Sequence, residues 1–287
     1  MPPKRPRTPN GAVPAALLAH LGTASTAMPL PYRDGCHGAS ANSGRCFYGN
    51  LASRTTIALF GDSRALAWFP ALVEVARDRG WRLLNLTRSA CGPAQIIPYS
   101  RVAHTVIPGC QAWRSAAIDR LVRLRPDVIL VSGTRGFVTI DARGRLLDGD
   151  ARTNPWIRGM RRTLTRLAPS GARVILVADT PISAVTSPAS CLARHRTSAR
   201  SCATSVMRAI SYPWLNAEYA VTRTTRVGFL DPELWVCPTS PCPEVVGGHL
   251  VHRNGGHLAL EFAAAQARRF ERVILKELAL GRKPRTP

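Results

Sequence analysis

A chain of 287 residues with 39 Lys+Arg against 17 Asp+Glu carries a formal charge of +22, and 45% of it is hydrophobic. That apolar share buries a sizeable core in one large domain or two small ones, which excludes a wholly disordered chain. The 22 glycines and 23 prolines follow no collagen-like period, and no apolar run approaches the length of roughly 18 residues that reads as a membrane-spanning helix.

Residues 1–50 are rich in Pro, Gly, Ala and Ser without a sustained period and read as a largely irregular leader and linker, with the folded body expected over 51–287. Lys4 to Arg7 followed by the apolar stretch 11–27 faintly resembles a signal peptide, interrupted by Pro14 and His20. The alternative is export supplied by a membrane part upstream. Residues 55–60 (TTIALF) predict a strand broken by Gly61-Asp62-Ser63, and 65–79 carry apolar residues at helical spacing up to Gly80. Residues 82–86 (RLLNL) predict a second strand, 113–124 a helix, and 127–132 (DVILVS), introduced by Pro126, a third strand. The alternation continues with a helix over 156–167, a strand over 173–178 (RVILVA), mostly helix over 202–225, a strand over 227–230 (VGFL) and a long closing helix over 257–280. Short apolar strands separated by helices, with no hairpin between any two, predict an α/β fold: a parallel sheet of about five strands covered on both faces. In such sheets function gathers in the loops at the carboxyl ends of the strands, here 61–64, 87–93, 133–137, 179–183 and 231–256.

The charge is almost all arginine, since only Lys4, Lys276 and Lys283 are lysines, and the arginines are scattered over apparent helix faces. Scatter reads as a solvated surface and disfavours a nucleic-acid stripe interleaved with aromatics. Anionic polymers and membrane headgroups remain as partners that such a field attracts without sequence specificity. The eight cysteines fall as sequence-near pairs: Cys36 with Cys46, Cys91 with Cys110, Cys191 with Cys202, Cys237 with Cys242. They predict disulfides and an oxidising, extracytoplasmic compartment. The pairing rests on proximity, with buried thiols and zinc ligation as rivals, although no C-x-x-C occurs. No metal or cofactor is expected.

Ser63 stands where the first strand turns into a helix, which presents its hydroxyl at the sheet edge and its N–H at a helix N-terminus. It reads either as an N-cap or as a nucleophile needing a histidine to take its proton. His257 follows the last strand's loop, with His249 and His252 close enough in sequence to be mistaken for it. Asn254 lies three residues before His257, where a carboxylate would ordinarily orient the imidazole. Asp179 and Asp231 read as loop caps, Asp231 being the first substitute for the missing acid. The six tryptophans read as core or rim anchors.

Together FGDSR (60–64), the Ser89-Ala90-Cys91 turn, DVILVSGTRG (127–136) and LVHRNGGHLA (250–259) resemble an SGNH/GDSL hydrolase over roughly residues 33–280. CQAW (110–113) and DPELWVCPTSPCPEVVGG (231–248) are similar to one subgroup. These are the extracytoplasmic SGNH domains fused behind membrane acyltransferase-3 domains in bacterial O-acetyltransferases of cell-surface glycans. The resemblance implies a three-layer, flavodoxin-like SGNH fold, with Ser63 as nucleophile, His257 as base, and Asn254 at the usual aspartate position of an Asp-x-x-His block. It implies an oxyanion hole from the N–H of Ser63, the N–H of Ala90 and a third-block asparagine position occupied here by Arg135. Arg64 stands where the subgroup usually has His. The implied activity is that of a serine esterase or O-acyltransferase working through an acyl-enzyme on acetyl-like esters of a cell-surface polysaccharide, with a membrane acyltransferase-3 domain as partner. The departures at Arg64, Arg135 and Asn254 motivate the alternative, a catalytically weakened glycan-binding or scaffold domain.

Overall fold

The computed structural model describes residues 5–281 apart from 102 and 148, so Lys4, Lys283 and the end of the expected body lie outside the described residues. The central sheet consists of β1 (Phe47–Gly49), β2 (Thr56–Gly61), β3 (Arg82–Thr87), β4 (Val128–Ser132), β5 (Arg173–Val177) and β6 (Gly228–Leu230), in spatial order β1-β3-β2-β4-β5-β6. From β3 to β6 all pairs are parallel, whereas β1 closes the edge antiparallel to β3. The parallel part has the flavodoxin-like order. After β3 the chain crosses β2 to form β4, so a crevice opens at the carboxyl ends of β2 and β4, the place where such sheets bind ligands.

Strands buried on both faces are apolar throughout, yet their side chains still alternate. Ile57 and Leu59 join a core with Trp68, Leu72, Phe262 and Phe270. Ala58 and Phe60 join another with Ile118, Leu121, Met160 and Val221. The long helices are α1 (Phe69–Asp78), α2 (Cys110–Leu124), α3 (Thr153–Leu167), α4 (Tyr212–Thr225) and α5 (Ala267–Gly281). Helices α1 and α5 supply the first core and α2, α3 and α4 the second, which makes the three layers.

Three features depart from the expectation. First, the expected boundary at residue 51 falls inside paired structure. Strand β1 lies before it, and Val13, Leu17, Leu21 and Ala24 are buried against Leu192, Cys202, Leu250 and Ala259. Short segments with few apolar residues carry no visible period, so their order comes from the surface they pack on. Second, hairpins do occur, in a small antiparallel sheet of Ile97–Ser100, Thr105–Val106, Val138–Ile140 and Leu146–Leu147 grown from the loops after β3 and β4. Third, the closing helix begins later than expected. His257–Leu258 pairs with His252–Asn254, Leu260–Ala264 forms a short helix, and α5 follows.

Most of the described arginines are exposed, in keeping with their scatter. Some also tie loops to the body: Arg88 donates to the carbonyls of Pro108 and Gly109, Arg120 to that of Ala41, and Arg162 to that of Gln95. All eight cysteines form disulfides in the expected sequence-near pairs, which removes them as zinc ligands or free thiols. Cys91–Cys110 joins the loop after β3 to the start of α2, and Arg114 reinforces the junction by donating to the carbonyls of Gly92 and Ile96. Closing that loop removes chain entropy from the unfolded state. Replacing both cysteines by serine is therefore expected to lower the urea-unfolding free energy by about 3 kcal/mol. An unchanged midpoint would show that the Arg114 bonds alone hold the loop.

Candidate active site

The turn after β2 is built around Asp62. Its Oδ1 accepts from the Arg64 N–H at 2.8 Å and so caps the short helix Ser63–Leu66, while its Oδ2 accepts from the Thr134 N–H at 2.9 Å. The second bond clamps the ends of β2 and β4 together across the crevice. Burial pushes the Asp62 carboxyl up to about 6 against the pull of those two donors. Gly61 is required here, because a Cβ would overlap the Ser132 carbonyl oxygen of the neighbouring strand. The cap therefore belongs to Asp62, and the Ser63 hydroxyl is released to point elsewhere.

It points at His257, whose Nε2 lies 2.9 Å from Ser63 Oγ. On the other side of the ring, Asn254 Oδ1 lies 3.1 Å from Nδ1, and it also accepts from the N–H groups of Gly256 and His257 at 3.0 and 2.9 Å. Three donors converge on one oxygen, so the amide cannot be turned over without losing them. Nδ1 therefore carries the proton and Nε2 presents its lone pair to Ser63. Asn254 thus supplies the orientation that a carboxylate would supply, without its charge. His252 is a structural residue: buried, it meets Glu244 Oε2 at 2.9 Å and the Pro181 carbonyl at 3.0 Å. His249 stands 3.7 Å from Glu261.

Burial, then the charges of Arg253 and Arg64, lower the His257 pKa from 6.5 to about 4. A general base works in its neutral form, and this imidazole is neutral above that value. The acid limb of kcat/KM for an uncharged ester is thus expected at an apparent pKa of about 4, with activity undiminished at pH 6. A pH–rate profile whose limb lies near the unperturbed histidine value would contradict this environment.

Arg64 and Arg135 do not present their guanidinium groups as expected. Buried Arg64 donates from Nε to Asp179 Oδ1 at 2.8 Å and from Nη2 to the Thr180 carbonyl at 2.7 Å, bracing the end of β2 against the loop after β5. Arg135 gives its backbone N–H to Asp179 Oδ2 at 2.9 Å and a guanidinium N–H to the Ala209 carbonyl, which turns its side chain into a small cavity with Asp179, Trp214 and Asp231. Asp179 is thus the hub of a buried network, and its own N–H donates to the buried Glu218 at 3.1 Å. Asp231 caps the following turn through the Glu233 N–H at 2.8 Å, as its sequence position suggested. The N–H groups of Ser63 and Ala90 have no partner among the described residues.

Two neighbours of the pair went unnoticed in the sequence. His37 lies beside the loop after β3, its ring nitrogens 2.9 Å from Thr87 Oγ1 and 2.8 Å from Ser89 Oγ, with the Tyr32 ring 4.6 Å away. Both come from the segment read as a linker. Arg253, half-buried, sits in the hairpin that carries His257. No motif marks either, although His37 follows Cys36, the start of a disulfide loop.

A crevice at the switch point of a doubly wound sheet, with a serine and a histidine meeting across it, defines an α/β domain of the hydrolase and acyl-transfer class. Residues 35–272 match the model of the SGNH domain fused to AT3 domains, and the chain belongs to that family. Among solved structures it is similar to the periplasmic domain of a lipopolysaccharide acetyltransferase from Salmonella ser. Paratyphi A. That match has 15% identity, 91% of this chain and 97% of that one covered, and a TM-score of 0.65. It is also similar to a putative acylhydrolase from Bacteroides fragilis (10% identity, 80% and 91% covered, TM-score 0.45). A GDSL-like lipase from Bacteroides thetaiotaomicron matches as well (10% identity, 77% and 88% covered, TM-score 0.42). No curated protein matches the sequence.

Proposed function

We propose that the domain is a serine-dependent esterase or O-acyltransferase acting on acyl esters of a cell-surface glycan. The observation that carries this reading is the Ser63 Oγ to His257 Nε2 distance of 2.9 Å with Nδ1 held by Asn254. Ser63 Oγ attacks the ester carbonyl, and its proton passes to His257 Nε2. The bond to the leaving alkoxide then breaks, and His257 returns the proton to that oxygen. Water or a sugar hydroxyl repeats the sequence in the second half. The free N–H groups of Ser63 and Ala90 are the candidate oxyanion donors, without a third from Arg135.

The glycan, an acetyl-like acyl group and a membrane AT3 domain as partner come from the family and from the lipopolysaccharide acetyltransferase neighbour. The disulfides support an extracytoplasmic location. One observation favours a weakened binding domain instead: the orienting residue is uncharged and the imidazole is a weak base. A fluorophosphonate probe separates the two. One adduct by intact mass, mapped to Ser63, is the result expected of an enzyme, and a folded protein left unlabelled is the result expected of a binding domain.

A further inference from the structure

Other guanidinium groups that reach into this fold have acceptors. Arg64 has Asp179, Arg173 has Glu277, and Arg114 has the carbonyls of Gly92 and Ile96. Arg253 differs. Half-buried in the hairpin that carries His257, its guanidinium makes no hydrogen bond or ion pair among the described residues. Taking a fork of N–H donors partly out of water without an acceptor is costly, so such a group marks a place for an anion.

The neighbours of Arg253 put that place beside the Ser63–His257 pair. In sequence it stands between His252, which anchors the hairpin on Glu244 and the Pro181 carbonyl, and Asn254, which holds His257. In space its titratable neighbour is Tyr32, whose ring lies 4.6 Å from that of His37. His37 in turn meets Ser89, the residue before Ala90 and its free N–H. Arg253, Tyr32 and His37 thus run from the hairpin to the loop after β3. Arg253 and His37 are both near enough to His257 for their charges to lower its pKa. Asp179 acts on His257 in the opposite sense, but it is spent on Arg64 and on the Arg135 N–H, which leaves Arg253 uncompensated.

We propose that Arg253, flanked by Tyr32 and His37, binds an oxyanion of the substrate, a carboxylate or a phosphate on the saccharide that bears the ester. The proposal rests on the Ser63–His257 reading and deepens it by making the glycan acidic. A planar guanidinium takes either oxyanion through paired, parallel N–H bonds. The bound anion also offsets the positive charge that opposes the imidazolium formed as Ser63 gives up its proton. The substrate then supplies part of the charge that Asn254 withholds. Arg253 binds and no bond is made or broken at it.

The test is acetate release by the purified protein from mono-O-acetylated methyl glucoside, methyl glucuronoside and methyl glucoside phosphate, each used as its mixture of positional isomers. These share the ester and differ in carrying a hydroxyl, a carboxylate or a phosphate. The expected result is an apparent kcat/KM for one of the acidic sugars at least about ten-fold above that for the neutral one, and the sugar that leads identifies the anion. Arg253→Gln is expected to bring that ratio to near unity. Arg253→Lys is expected to keep part of it, since an ammonium offers the charge without the fork. The ratio does not depend on the fraction of protein folded, and an arginine with a merely structural role would lower all the rates together. A wild-type ratio short of that mark, or one that survives Arg253→Gln, overturns the subsite and leaves the Ser–His reading intact. So does release from none of the sugars while a fluorophosphonate still labels Ser63. No release together with no adduct overturns the parent reading and the proposal with it.

Discussion

Ser63→Ala is expected to fold as the wild type does and to lose at least about 1,000-fold in kcat/KM for ester hydrolysis. The fold is safe because the cap of the short helix is Asp62, whose bonds to the Arg64 and Thr134 N–H groups do not involve the serine side chain. The rate is not safe, because this hydroxyl is the group that the His257 Nε2 lone pair would turn into a nucleophile by accepting its proton. Groups that act as one unit lose nearly everything with the first removal, so His257→Ala should cost about as much and the double variant little more. Circular dichroism establishes the fold, and hydrolysis of an activated aryl ester gives the rates. A Ser63→Ala protein that retains a tenth of the activity would place the nucleophile elsewhere.

Asn254→Asp is the substitution expected to raise activity. The native amide oxygen already holds three N–H donors, so a carboxylate oxygen can take the same place with the same geometry. What it adds is a negative charge against the imidazole, which favours the imidazolium formed as Ser63 loses its proton. Removing such a charge elsewhere costs about 10,000-fold, part of it through a wrong tautomer that Asn254 does not impose. The gain expected here is accordingly smaller, on the order of 100-fold in kcat. The sign in pH is fixed by the same charge: it raises the His257 pKa, so the acid limb moves upward from about 4. A higher rate with an unmoved limb would mean that the carboxylate does not face the imidazole. No gain in rate would favour the weakened binding domain over the enzyme.

Much of the layout is visible without coordinates. TTIALF, DVILVS and RVILVA are apolar on both alternating faces, which only a sheet covered on both sides accommodates, and the intervening helical periods supply the covers. The side sheet was hidden because its strands run two to four residues, too short for an alternation to stand out from a loop. The N-terminal segment was hidden because its order depends on the grooves that receive Leu17 and Leu21.

By itself the sequence determined the five parallel strands β2 to β6, the helices between them and that Ser63 stands at a strand–helix turn, since these follow from periodicity and from glycine, proline and aspartate chemistry over a few neighbours. The cysteine pairing was readable for the same reason, each bridge spanning at most 19 residues. The resemblance pointed to His257, but only the tertiary structure shows it meeting a serine 194 residues away, because the hairpin register turns His257 to the crevice and buries His252 against Glu244. It also decided that the Arg64 guanidinium pairs with buried Asp179, which accepts the backbone N–H of Arg135 as well. A guanidinium held inside the fold needs an anion, and no local pattern shows where that anion will lie.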